Sequence, residues 1–330
     1  VGGHCRTSFH PTVGCFVHDE GPHIFHTSNP EVWAFANRFA EFNGFINRPK
    51  VSYGNQLFSF PINLMTLYQL WGVTTPEQAR KALERRRSPI ENPRNMEEWA
   101  LANIGPELYS IFIEGYTTKQ WGKHPRELPA SILKRVPVRL TYDDNYFLDQ
   151  YQGIPVDGYT HMVERMLDHR DIGVELGMEY ERGDSRAYDL TIYTGAIDEF
   201  FGYELGYLEY RTIEFTHQVI DVPDYQGVAV VNYTDLATRW TRVVEHKHFA
   251  PKPVATKRTI VTREFSGAWE PPLERHYPVP SEKNQALYES YKSKAPEGVI
   301  FGGRLGEYTY RDMDATIAAA LGRARECLAR

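Results

Sequence analysis

The sequence predicts a mixed α/β fold in three parts, and three observations predict it. Helical patterns follow one another from Leu64 to Leu133. Between 210 and 265, four segments alternate polar and apolar residues at period two with no helix between them, which is the pattern of an antiparallel sheet. Two short apolar runs that end in glycine turns, 189–195 and 299–303, have the character of strands in an α/β layer.

Taken in order, Val13 to His18 reads as a strand, because its β-branched and aromatic residues stop at the turn formers Asp19-Glu-Gly-Pro22. A helix should begin at Asn29-Pro30-Glu31, with Pro at its first position and Phe35, Phe39 and Phe42 on one core-facing side. Tyr53-Gly-Asn-Gln marks the turn of a hairpin between Ile46 and Phe60. Thr75-Pro-Glu-Gln78 is a capping box and Asn95-Met-Glu-Glu98 a similar start, so four or five helices fit the stretch up to Leu133. Gly158 to Leu167 predicts a helix with Met162, Val163, Met166 and Leu167 inward, and Asp189 to Gly195 a buried strand. Strands follow at Tyr210 to Val219, Gly227 to Tyr233, Thr241 to Phe249 and Arg258 to Phe265. The chain closes with a helix over 283–294, the strand at 299–303 and a helix from Arg311 to about Leu328. That last helix has Asp312 and Asp314 at its start and Arg323 and Arg325 near its end, matching the helix dipole.

Composition narrows the function. With 330 residues, 42% hydrophobic and 24% charged, the chain is of ordinary globular make-up and long enough for two or three domains. A formal net charge of -6, with no basic run longer than Arg85-Arg86-Arg87, argues against a nucleic-acid partner. No apolar run approaches the roughly 20 residues that span a bilayer, so no membrane role is expected. Cys5, Cys15 and Cys327 are too few for a secreted disulfide framework and favour a reducing cytoplasm.

The chemistry concentrates between Phe112 and Tyr151. Aromatic rings, a glycine turn and the arginines at 135 and 139 fall within 40 residues. A guanidinium grips a diphosphate through two parallel hydrogen bonds, and an aromatic face stacks on a base. The same residue types equally describe a solvated surface decorated by cation-π contacts. His23/His26 and His246/His248 are close in sequence but lack the spacing of a zinc site, and no metal is expected. Neither a nucleophile elbow nor an acid pair announces itself, which suits a reaction whose covalent chemistry belongs to a cofactor.

The order of the pieces is more telling. Gly115-Tyr-Thr-Thr-Lys-Gln-Trp-Gly122, Glu127-Leu-Pro-Ala-Ser-Ile-Leu-Lys-Arg135-Val-Pro-Val-Arg139 and Asp143-Asp-Asn-Tyr-Phe-Leu-Asp-Gln-Tyr151-Gln-Gly-Ile-Pro155 resemble the bacterial UDP-galactopyranose mutases. So do Gly21-Pro-His23-Ile-Phe-His26-Thr, Thr241-Arg-Val-Val-Glu-His246-Lys-His248-Phe and Phe301-Gly-Gly-Arg304-Leu-Gly-Glu-Tyr308-Thr-Tyr310-Arg-Asp312-Met, in the same order along the chain. The resemblance implies an isomerase that interconverts UDP-galactopyranose and UDP-galactofuranose through a reduced-flavin N5 sugar adduct, in cell wall polysaccharide biosynthesis. It implies a discontinuous FAD-binding Rossmann-like domain (1–45, 155–205 and 296–330), an inserted helical domain (64–133) and an antiparallel sheet domain for substrate (46–63, 134–154 and 206–295). A homodimer is compatible with it.

The resemblance also implies roles. Arg135 and Arg242 hold the UDP diphosphate and serve catalysis. Phe112 and Tyr116 flank uracil, Trp121, Tyr146, Tyr277 and Tyr310 line the sugar-diphosphate channel, and Asn63 and Asn232 are polar contacts. Gly3, His23, Ile24, His26, Gly303, Arg304, Asp312 and Met313 face the FAD. Two departures stand out. His4 occupies a position where many members have Asn, and the strand, Gly-x-Gly-x-x-Gly turn and helix with which members open is not found before Val1, so the chain is expected to lack that dinucleotide-binding start. Other classes are a flavin-dependent oxidoreductase of related fold and a non-catalytic UDP-sugar-binding protein.

Overall fold

The computed structural model describes residues 1–135, 138–180 and 188–329. Its contacts divide the chain into two units, Val1–Ile24 with Ala40–Glu164 and Ile213–Gly267, and Phe25–Phe39 with Arg165–Thr212 and Ala268–Arg330.

The first unit is built on a sheet whose strands come from distant parts of the chain. From one edge the order is the Ile213–Ile220 part of the Tyr210–Ile220 strand, Thr259–Ala268, Arg242–Glu245, Val230–Tyr233, Lys50–Tyr53 and Gln56–Ser59. The hairpin of the last two turns through Gly54 and Asn55, both at positive φ (56° and 62°), the backbone that lets a two-residue turn follow the twist of its strands. Lys50–Tyr53 runs parallel to Val230–Tyr233, so the expected antiparallel sheet contains one parallel pairing, which the long helical excursion between those strands makes possible. At the free edge, Gln69 donates from its side-chain amide to Leu57 O (3.0 Å) and accepts from Ser59 N–H (2.9 Å).

Helices Leu64–Trp71, Pro76–Arg86, Met96–Asn103, Gly105–Tyr109 and Gly115–Trp121 pack onto this hairpin through one shared core that includes Val51, Phe58, Leu67, Leu83, Leu108 and Phe112. Their starts follow from capping. Thr75 accepts from Gln78 N–H, and Asn95 accepts from Glu98 N–H. Between Tyr109 and Gly115 the chain makes one wide π-helical turn, Ser110–Glu114. A second, two-stranded sheet pairs Thr7–His10 with Cys15–His18. The expected strand thus begins at Cys15, and Val13 is buried in the turn before it.

In the second unit Asn29 caps the helix Pro30–Ala36 by accepting from Glu31 and Val32 N–H. Val32 and Ala36, not the phenylalanines, supply its buried stripe, and the helix ends before Phe39 and Phe42. Phe35 and Phe39 instead meet edge to face at 5.2 Å beneath the Arg38 guanidinium, a partly solvated cluster. Thr191–Tyr193 pairs in parallel with Val299–Phe301. The expectation of a buried strand fails at Ile192, which is 51% exposed, because the pleat turns Tyr193 towards Tyr180, Phe200 and Phe301 and Ile192 away from them. The Gly158–Leu167 helix falls mostly in the first unit, where Met162 and Tyr159 are its large buried side chains, while Val163, Met166 and Leu167 are half-buried. The second unit's core joins Ile197, Phe200, Phe201 and Leu208 to Tyr288 and Tyr291 of the Glu282–Lys292 helix.

The closest backbone approach in the first unit comes at Gly115. A Cβ there would lie 2.2 Å from the carbonyl oxygen of Thr234, a backbone atom that cannot swing aside. Gly115→Ala is expected to destabilise the fold by about 1–3 kcal/mol, the usual effect of overpacking, read as a lower midpoint in urea at an unchanged slope.

Candidate functional site

In the first unit, strand register builds the centre of the site. Arg242 lies opposite Asn232 on one neighbouring strand and opposite Glu264 on the other. Directly opposed residues share a face, so Asn232, Arg242 and Glu264 form one row across three strands. Glu264 is buried, and its carboxylate stands 3.2 Å from Arg242 Nε. Arg242 Nη2 donates to the Tyr116 hydroxyl at 3.5 Å. The guanidinium is thus held from its Nε side by an acid and met on its outer edge by a phenol. Gly21, at φ 89°, passes so close that a Cβ would touch Phe215 (3.2 Å) and Glu264 (3.3 Å), which brings the loop bearing His23 up to the same carboxylate.

The aromatic candidates divide. Phe112 is buried in the π-helical turn, stacked with Phe60 (6.1 Å, 10°) and edge-on to Phe58. Tyr146, 38% exposed, reaches the same Phe60 ring and crosses Phe147 at 89°. Trp121 is partly buried against the helical core. Asn63 is fully buried as the N-cap of Leu64–Trp71. Its oxygen accepts from Thr66 N–H, and its amide donates to Ser59 Oγ. Arg135 closes the turn Ala130–Arg135, and its side chain lies outside the described residues.

Gly3 is exposed at the start of a short turn, Gly3–Cys5, whose other residues are half-buried. His23 is half-buried and Ile24 buried. His23 donates its backbone N–H to His18 Nδ1 (3.1 Å), and His18 N–H donates in turn to His246 Nδ1 (3.2 Å). With Nδ1 accepting, the neutral His246 ring carries its proton on Nε2 and gives it to Thr262 Oγ1 (2.6 Å). The Thr262 hydroxyl then goes to His217 Nδ1 (2.7 Å), and His217 Nε2–H to the carbonyl of Asp19 (3.1 Å). This chain of bonds ties both ends of the 19–23 loop to the sheet. His248 instead joins Asp224 and buried Glu245, which raise its affinity for a proton, and Lys247 stands 2.8 Å from Asp224. That arrangement is an ion-pair network, and we assign no metal to it.

In the second unit, Arg304 packs its guanidinium 5.4 Å from both the Tyr277 and Tyr310 rings and donates to His276 O. Gly303, at φ 72°, follows the Val299–Phe301 strand. Asp312 stands at the N-cap of Met313–Leu328 without a capping bond from its side chain. His26 lies half-buried in the strand Phe25–Thr27.

Such a fold is of the mixed, Rossmann-like α/β class. Residues 111–310 match the UDP-galactopyranose mutase family, and residues 1–39 match an NAD(P)-binding Rossmann-like domain. A Klebsiella pneumoniae protein named "Probable UDP-galactopyranose mutase" is 44% identical over 99% of this chain and 86% of its own length. The dTDP-fucopyranose mutase of Escherichia coli is 40% identical over 97% of this chain and 88% of its own. A crystal structure of reduced UDP-galactopyranose mutase superposes with a TM-score of 0.63 over 92% of this chain and 81% of that one; at 15% identity it speaks for the fold alone. The chain belongs to the UDP-galactopyranose mutase family, a family of flavin-dependent isomerases. No helix among the described residues is long and apolar enough to cross a membrane.

Sequence reasoning passed over Glu264, His18 and Thr262. Glu264 is found through strand register and His18 and Thr262 through hydrogen bonding, and no local spacing signals any of the three.

The two buried histidines set a pH dependence. Burial, aided by His217, pushes His246 from 6.5 down to about 3, and burial, aided by His246 and His23, holds His18 well below its usual value. Between the folded and unfolded values the unfolded chain binds more protons. Their contribution to stability is therefore full above about pH 6.5 and is lost as the pH falls towards 3. The expected slope is up to about 1.4 kcal/mol per pH unit for each histidine. Urea denaturation of the wild type and of His246→Gln between pH 7 and 5 checks it: the variant's stability should fall less steeply.

Proposed function

We propose that the protein interconverts UDP-galactopyranose and UDP-galactofuranose, with FAD as its flavin and in a reducing cytoplasmic setting. The observation that carries the reading is Arg242, a guanidinium backed by a buried carboxylate and edged by Tyr116, in a chain of this family. A guanidinium anchored at Nε keeps the planar fork of N–H donors that matches the paired oxygens of a diphosphate. With Arg135 as its companion, Arg242 would take up the negative charge that grows on UDP as the sugar's anomeric bond breaks. Phe112 and Tyr116 would flank uracil, and Tyr146, 38% exposed, would line the sugar-diphosphate channel. In the first unit Trp121 and Asn232 would line the way to the sugar, with Asn63 holding the Leu64–Trp71 helix in place; in the second unit Tyr277 and Tyr310 frame the Arg304 guanidinium.

The residues present fit a flavin. Positive φ at Gly303 opens the backbone after the strand, and the 16-residue helix Met313–Leu328 offers the positive end of its dipole to an acceptor. Gly3, His23, Ile24, His26, Gly303, Arg304, Asp312 and Met313 would hold it. When bound and reduced, the flavin supplies the nucleophilic electron pair that the protein's own side chains do not. The 18–23 loop, pinned through His18 and His246, would keep His23 in one orientation. Similarity to the dTDP-fucopyranose mutase favours a second reading, in which the sugar is a 6-deoxyhexose and the base thymine.

Two measurements test this. Sugar nucleotides separated after incubation should interconvert only when the flavin is reduced, and UDP-galactose should turn over faster than dTDP-fucose; the reverse preference would select the second reading. Arg242→Ala and Arg135→Ala should each lower turnover by roughly 30- to 1000-fold with nearly unchanged flavin spectra. A variant of near-normal turnover at either position would make that arginine structural.

A further inference from the structure

Lys119 sits one turn beyond Tyr116 on the helix Gly115–Trp121. Its Nζ donates to four backbone carbonyls, those of Tyr233 (2.7 Å), Asp235 (2.8 Å), Thr238 (3.0 Å) and Trp240 (3.0 Å). An ammonium has three hydrogens, so at least one is shared, and the arrangement is that of a cation in a cage of oxygens. The cage is the connection between the Val230–Tyr233 strand, which carries Asn232, and the Arg242–Glu245 strand, which begins with Arg242. Other contacts brace it. Asp235 accepts from Thr238 N–H and from its hydroxyl, Tyr233 N–H donates to Thr241 O, and Thr241 N–H donates to Glu264 O. Gly115, against Thr234 O, lets the helix come this close.

The consequence follows from what each side carries. The helix bears Tyr116 and the braced connection leads straight into Arg242, and these two side chains meet at 3.5 Å. Four carbonyls aimed at one point repel each other unless a positive charge sits among them. Without it the loop would splay, and with it the row of Asn232 and Arg242 would shift away from Tyr116.

We propose that Lys119 is a positioning residue, a built-in monovalent cation whose carbonyl cage fixes Arg242 against Tyr116, and that the cage, once emptied of its side-chain ammonium, takes a free ammonium-type cation. This rests on the reading of Arg242 as a diphosphate ligand.

The test uses the flavin-loaded enzyme, UDP as the calorimetric probe, and buffers free of ammonium and potassium. Lys119→Ala should bind UDP about tenfold more weakly, with KM raised and flavin absorption unchanged. Ammonium or methylammonium chloride should restore the affinity saturably, whereas tetramethylammonium chloride, too large for the cage, should not. Lys119→Met, which fills the space without charge, should be equally weak and not respond to ammonium. UDP affinity at the wild-type level in Lys119→Ala, or a loss that no cation reverses, overturns the proposal. Arg242→Ala separates the two layers. Should it bind UDP normally, the diphosphate reading fails; should it lose UDP while Lys119→Ala does not, only the role of Lys119 fails. If Lys119→Ala yields no folded enzyme, Lys119→Gln replaces it. Its amide still donates to the carbonyls, so affinity above that of Lys119→Met supports the proposal and equal affinity overturns it.

Discussion

A guanidinium that is to meet a diphosphate must remain charged and aimed while much of its surroundings is dry. The first unit meets this constraint by pairing Arg242 with buried Glu264 across adjacent strands, so that the sheet's own hydrogen-bond register, and no flexible loop, sets the distance between them. Removing either partner of such a buried pair leaves a charge without compensation, which is far more damaging than the net strength of the pair implies. Much else depends on this row. The loop at Gly21 is narrow because it must pass the same carboxylate, and the helix bearing Tyr116 is pulled in through Gly115 until its phenol reaches the guanidinium.

Local chemistry was the legible part of the fold. The Gly54-Asn55 turn and the caps at Asn29, Thr75 and Asn95 each act within a few residues, so their signals stand in the sequence unmixed; the later strands bury their residues in blocks instead of alternating. Phe35, Phe39 and Phe42 misled because a helical period is only informative while the helix lasts, and this one ends at Ala36 with a stripe of smaller residues inside. Ile192 misled because an apolar run does not say whether one face of a strand or two are covered.

The site was legible as a set of residue types and illegible as a geometry. Arg242 and Asn232 could be named, but that they are cross-strand neighbours depends on register, which one residue of slippage would undo. Asn63 looks like a binding amide in sequence, and its position just before a helix with Thr three residues on gives the same residue a cap to make. The histidine chain joins positions 18, 217, 246 and 262, and its parts become a network only after the sheet has assembled.

The Gln56–Ser59 strand ends the sheet and carries exposed Leu57 beside exposed Met65 and Tyr68, a combination that invites another chain to add a strand there. Gln69 answers it with a side-chain amide that both gives to Leu57 O and receives from Ser59 N–H, imitating the peptide group a neighbouring strand would bring. A peptide approaching this edge must first displace a partner already matched in donor and acceptor. The free border of the sheet is thereby a poor template for ordered self-association.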